Sequence, residues 1–100
     1  MIYPNALSAE DVKGISHEAL RQFAFASGWR EIASPSPHFA LMHPINGREE
    51  QLLIPLRPDF VDYERRIMDA IYDLARQENV SVVQMMERLR GWIKQQALPS

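Results

Sequence analysis

The amino-acid sequence predicts an α+β fold, a three-stranded antiparallel sheet with helices in the order α-β-β-β-α-α, carried by residues 1–100 as a single domain. Three observations predict it. Apolar residues recur at intervals of three and four in three segments, each preceded by a side chain suited to cap a helix. Three short stretches of β character lie between the first and second of those segments. And 100 residues, 46% of them hydrophobic, suffice for one core and not for two.

In chain order, Ser8 with an acid three positions on, Asp11, opens a short helical turn that Gly14 ends, so residues 1–15 read as an arm, poorly ordered or briefly helical. Ser16 caps a helix over about 17–27, in which Leu20, Phe23, Ala24 and Ser27 keep helical spacing up to Gly28. Strands follow at Trp29–Ala33, His38–His43 and Gln51–Leu56, separated by Ser34-Pro35-Ser36-Pro37 and Pro44-Ile45-Asn46-Gly47. Asn46-Gly47 tolerates positive φ and suits a tight hairpin turn that pairs the second strand with the third. Along the second strand Phe39, Leu41 and His43 share one face, and His38, Ala40 and Met42 the other. The Phe39/Leu41 face is expected to meet the helices, which leaves His38 accessible.

Pro58-Asp59 opens the next helix with Asp59 as N-cap, and its apolar stripe reads Phe60, Tyr63, Ile67, Ala70, Ile71, Leu74, ending near Glu78-Asn79. Asp62 and Arg66 stand four apart, the spacing of an intrahelical ion pair. Ser81-Val82-Val83-Gln84 is a capping box, and Val80 precedes it where a hydrophobic staple onto Met85 belongs. The last helix then carries Val82, Met85, Met86, Leu89 and Ile93, with Trp92 beside them, until Pro99.

Eleven Lys and Arg against thirteen Asp and Glu leave a formal charge of −2, so no overall positive field draws the chain to nucleic acid or anionic lipid. Zero cysteines exclude a disulfide scaffold, a thiol nucleophile and a thiolate zinc site, and suit a reducing compartment. No run approaches the roughly 20 apolar residues of a membrane span, and Met1–Asn5 lacks the basic start of a secretory signal. A cytoplasmic protein without a membrane partner is expected.

Candidate chemistry is sparse. His38 and His43 are five apart and point to opposite faces of one strand, which disfavours a shared metal, and His17 in a first helical turn is expected to face solvent. Asp69 and Asp73 share a helix face but are flanked by Arg65, Arg66 and Arg76. There is no GxSxG elbow, phosphate-cradling glycine loop or HExxH helix, so no cofactor and no metal are implied. Arg65, Arg66, Arg88, Arg90 and Lys94 are the candidate RNA contacts. The stripe Met85, Met86, Leu89, Trp92, Ile93 reads either as core or as a surface for a protein partner or a second copy, because Met and Trp are enriched at such interfaces.

From Leu20 to about Ile71 the chain resembles the HicA toxin family on three features: the helix leading into Gly28-Trp29, Ser36-Pro37-His38 where that family carries Gly-Ser-His, and His43-Pro44 at the family's spacing. That resemblance implies a double-stranded-RNA-binding-like core and an mRNA interferase in which His38 assists attack of the RNA 2′-hydroxyl on the adjacent phosphate. The chain departs from the family pattern with prolines at and within the motif, Pro35 and Pro37, in place of its glycine setting, and with Leu56-Arg57 after Pro55 where a histidine often stands. Residues Ile54 to Leu89 separately resemble a module of uncharacterised bacterial proteins to which no activity attaches.

Two function classes follow. The first is a noncatalytic interaction or regulatory module that binds a protein partner or itself through the C-terminal helix. The second is a HicA-like RNA-binding protein or ribonuclease that uses His38.

Overall fold

The computed structural model describes residues 7–45 and 50–97. Its elements are α1 (Ala9–Val12), α2 (His17–Ala26), β1 (Trp29–Ile32), β2 (Phe39–Pro44), β3 (Leu52–Pro55), α3 (Tyr63–Gln77) and α4 (Val82–Ala97). The three strands form one antiparallel sheet in the order β1-β2-β3, so the chain is an α+β protein.

Local chemistry accounts for most of the boundaries. The Asp11 carboxylate accepts the Ser8 backbone N–H at 2.9 Å and opens α1. Ser16 Oγ accepts the Ala19 N–H at 3.0 Å and starts α2, and Gly28 at φ +100° turns the chain into β1. At the end of α3, Asn79 takes φ 55°, a conformation Asn tolerates, and Val80 N–H returns to the Ala75 carbonyl at 3.0 Å. Ser81 and Gln84 then bond reciprocally, Ser81 N–H to Gln84 Oε1 at 3.0 Å and Gln84 N–H to Ser81 Oγ at 3.1 Å, the capping box read from the sequence.

The start of α3 differs from expectation. Asp59 does not cap it; the N-cap position is Asp62, and residues 58–62 make turns instead, with Phe60 N–H on the Arg57 carbonyl and Tyr63 N–H on that of Phe60. Both carboxylates are engaged by arginines. Arg57 grips Asp59 through two hydrogen bonds of 3.0 and 2.8 Å, and Arg66 Nε reaches Asp62 at 3.1 Å across the expected i, i+4 spacing. Ile67, Ala70, Ile71 and Leu74 are buried as the stripe requires.

The sheet also corrects the expected inward face. Ala40 and Met42, not Phe39 and Leu41, join the core, together with Trp29 on β1 and Leu52 and Ile54 on β3. The cause is register. A two-residue turn at Asn46-Gly47 would place Leu41 opposite Leu52, whereas the observed pairs are Met42 with Leu52, Ala40 with Ile54 and Leu41 with Leu53. One residue of slip exchanges the faces of a strand. The turn itself lies outside the described residues.

Helices cover the Trp29/Met42/Leu52 face. α2 packs on β1 and β3, α3 packs on β3, and α4 packs on α2 and α3. α1 adds Val12 to the core, and Ile15 follows it there. Two tyrosines of α3 hold this N-terminal segment: Tyr72 Oη accepts the Leu7 N–H at 2.7 Å and Tyr63 Oη the His17 N–H at 2.9 Å. From α4, Arg90 donates to the Asp11 carbonyl at 2.9 Å.

Adjacent residues of β3 therefore have opposite roles. Leu52→Ala is expected to cost about 2–5 kcal/mol, because it opens a cavity in the core. Leu53→Ala should cost about 0.5 kcal/mol or less, since that side chain is half exposed. Urea denaturation of the two variants measures the contrast, and equal losses would contradict the observed register.

Candidate functional site

Two regions of the described chain gather the side chains of interest: the sheet side that the helices leave uncovered, and the cluster around His38.

The uncovered face follows from the register. Residues opposite each other on antiparallel strands point the same way, so Ile32, Leu41 and Leu53 form a row across all three strands, with Phe39 and His43 next to Leu41 along β2 and Arg30 opposite His43. Ile32 is 40% exposed and Leu53 49%. Leu41, in the middle of the row, is shielded by its neighbours yet stands outside the core cluster. Along one flank, Arg66 of α3 lies over the Phe39 ring with 5.8 Å from the guanidinium carbon to the ring centroid. A groove of about 430 Å³ separates Phe39 and Leu53 from Arg66, Asp69, Tyr72 and Asp73 of that helix. Sequence reasoning missed this surface because it took Phe39 and Leu41 for core.

His38 sits just before β2 on a loop that its serines organise. Ser34 Oγ donates to the Ser36 carbonyl at 2.8 Å, Ser36 Oγ accepts the His38 N–H at 3.1 Å, and the His38 carbonyl accepts the Leu56 N–H at 2.9 Å. Its ring meets Phe60 edge-on at 5.2 Å, and Arg57 covers the same phenyl ring at 5.2 Å. His38 is thus half-buried against the turns before α3, not free on an open face. The Arg57 guanidinium holds the Asp59 carboxyl below its ordinary 3.8 by direct hydrogen bonds, and His38 adds a smaller contribution in the same direction. Reciprocally, the Asp59 hydrogen bonds raise the pKa of Arg57.

The remaining candidates are dispersed. Met85, Met86 and Leu89 are buried in the core, which corrects the reading of that stripe as a docking surface; only Trp92 and Ile93 stay half-exposed, Trp92 edge-on to Phe23 of α2 at 5.9 Å. Room for a third helix comes from a second layer: α4 lies on α2 and α3. Of the basic residues, Arg66 pairs with Asp62 and Arg90 with the Asp11 carbonyl, while Arg65, Arg88 and Lys94 are exposed. Arg66 borders the sheet and Arg90 reaches α1, so the structure does not gather the five into one patch. His17 is not solvent-facing as expected: Tyr63 holds its backbone N–H, its ring stands edge-on to that tyrosine at 6.3 Å, and Nδ1 is buried without a partner.

Among the described residues no three His, Asp or Glu side chains converge as metal ligands would, and no helix is long and apolar enough to cross a membrane. No protein-family model, no curated protein and no solved structure matches this chain.

The Arg57–Asp59 pair can be read by titration. Because the folded-state pKa of Asp59 lies below its unfolded value, the pair's contribution is complete above the unfolded pKa and is lost as pH falls through the folded one. Carboxyl chemical shifts followed against pH should place Asp59 below 3.8, and Arg57→Gln should return it toward that value. An unchanged Asp59 midpoint in the variant would show that Arg57 is not the cause.

Proposed function

We propose that this chain is a noncatalytic interaction module of the cytoplasm that binds a different protein across the uncovered side of its sheet. One observation carries the reading: the apolar row Ile32–Leu41–Leu53 crosses every strand of a sheet whose other face is filled by helices. Apolar side chains aligned in this way gain free energy when a partner removes them from water. The polar groups beside the row on β1 and β2 are Arg30 and His43, and Arg66 borders it. On the α3 flank Arg66 pairs with Asp62 and Arg76 with Asp73, so Arg30 is the cation that marks the β1 end of the row, and the occupant is a heterologous protein whose apolar surface carries acid opposite Arg30.

Photo-cross-linking in cells tests the reading. A benzophenone side chain at position 53 is expected to capture one discrete partner, the same probe at position 92 to capture none, and Ile32→Asp to abolish the adduct at 53. Capture at 92 alone would move the interface to α4. An adduct of twice the chain's mass would mean a second copy and would contradict the heterologous partner.

A second reading, RNA cleavage, is favoured by the grouping of an imidazole, an aromatic ring and an arginine in His38, Phe60 and Arg57. Such a set supplies a general base, a platform for a nucleobase and a cation for phosphate. On this reading, purified protein cleaves single-stranded RNA and His38→Ala slows cleavage by about 100-fold or more. Equal RNA lifetimes with both proteins would remove it.

A further inference from the structure

We propose that the partner adds an acidic extended segment to the free edge of β1 as a fourth strand, with Arg30 as the gate that selects it; the inference rests on the interaction reading above and specifies its mode. The directions of the backbone groups follow from the ladder. Ile45 N–H bonds to the Gly28 carbonyl at 2.8 Å, so that carbonyl and, by alternation, the peptide groups of Arg30 and Ile32 turn to β2, while the Gly28 N–H returns to the Phe25 carbonyl. Trp29 and Glu31, and Ala33 by the same alternation, turn theirs outward. The opposite edge of the sheet is different. Leu56 N–H bonds to the His38 carbonyl, so Leu52, Ile54 and Leu56 face β2, and the outward positions are Leu53 and Pro55. Pro55 has no N–H to offer, and α3 packs along that strand. The edge of β1 is the one fitted for strand addition.

Arg30 now occupies that edge. Its Nη1 donates to the outward carbonyl of Trp29 at 2.8 Å and to the Phe25 carbonyl at 3.2 Å, and its guanidinium carbon lies 4.1 Å from the centroid of the exposed Phe25 ring. The other arginine nearby, Arg21, has a carboxylate: its Nε donates to Glu31 at 2.7 Å. Among the described residues the partners of Arg30 are the two carbonyls and the Phe25 ring. An incoming strand must take the Trp29 carbonyl for its own N–H, which releases the guanidinium, and a carboxylate on that strand beside Arg30 receives it in a charge-assisted bond. Behind the edge, a cavity of about 460 Å³ between α2 and β1, lined by Arg21, Gln22, Phe25 and Met42, admits the helix-side side chains of the added strand.

A second copy fits this edge badly. In a continuous antiparallel sheet, β1 pairs with its own copy about a residue, because opposite positions share a face. Centred on Arg30 or Glu31, that sets like charges against each other; centred on Trp29 or Ile32, the ladder runs off the strand, with Ser27 opposite Glu31 or Pro35, which has no N–H, opposite Trp29. Like charges at the centre oppose the pairing, and an acidic strand from another protein meets neither obstacle.

The test titrates the ¹⁵N-labelled full chain with acetyl-Thr-Val-Asp-Val-Thr-Val-amide and with the same peptide carrying Lys for Asp. Expected are shifts and slowed exchange at the Trp29, Glu31 and Ala33 amides, with the Lys peptide about tenfold weaker or worse. Ala33→Pro, which removes one outward N–H and none that faces β2, should abolish binding while the rest of the spectrum persists. Arg30→Gln should make the two peptides equal. Equal binding of both peptides by the native chain, full binding by Ala33→Pro, or no change at the three amides at millimolar peptide overturns the proposal. Shifts confined to the Ile32, Leu41 and Leu53 methyl groups also overturn strand addition but leave the interaction reading standing. The cross-link at position 53 is the separate measure of that reading.

Discussion

Met42 opposite Leu52 and Ala40 opposite Ile54 bring the inward residues of two strands onto one face, and Trp29 opposite Pro44 extends that face to the third. On this alignment rests the division of the molecule into an interior and a surface. With Ala40, Met42, Leu52 and Ile54 inward, α2 and α3 have a continuous apolar floor. In the same act Ile32, Leu41 and Leu53 become a row on the outside. The alternative phase would have buried Phe39 and Leu41 and left Met42 and Ala40 to water, a fold with the same elements and a different surface.

That is why the elements were legible in the sequence and the site was not. Capping is local chemistry: Ser16 with Ala19, and Ser81 with Gln84, act within one turn of chain, so helix starts follow from adjacent residues. Which face of β2 is buried goes with which residue of β3 lies opposite, and β2 by itself does not show that. Taken alone, Phe39 and Leu41 are the bulkier pair and look like core. Only the cross-strand alignment shows that the smaller Ala40 and the pliable Met42 sit beneath the helices.

The fate of the Met85/Met86/Leu89 stripe is a matter of layers. A three-stranded sheet offers one helix pair its width, so a further amphipathic helix looks like one without a partner. Stacking α4 over α2 and α3 resolves this, because those helices have apolar residues to spare on the side away from the sheet, and Trp92 on Phe23 closes the contact toward the end of α4. With the stripe committed there, the outer side of the sheet is where exposed apolar side chains of the described residues line up across strands, Ile32 and Leu53 flanking Leu41. Arg30 then answers a problem the open sheet creates, since an unpaired strand edge invites indiscriminate pairing unless a charged side chain occupies it.

The surroundings of His38 follow from a single ion pair in a comparable way. An exposed Arg–Asp pair adds little to global stability, yet its geometry directs the chain locally. By holding Asp59 in a two-point grip, Arg57 keeps that carboxylate from capping a helix, and the backbone makes two successive turns before α3 begins at Tyr63. Had the helix begun at Asp59, Phe60 would lie in its first turn, as the apolar spacing alone implies. Delayed, Phe60 remains in the turns, where its ring meets His38 on one side and Arg57 on another. The imidazole therefore shares its surroundings with the residues that precede the helix boundary, Phe60 against its ring and Arg57 over the same phenyl group.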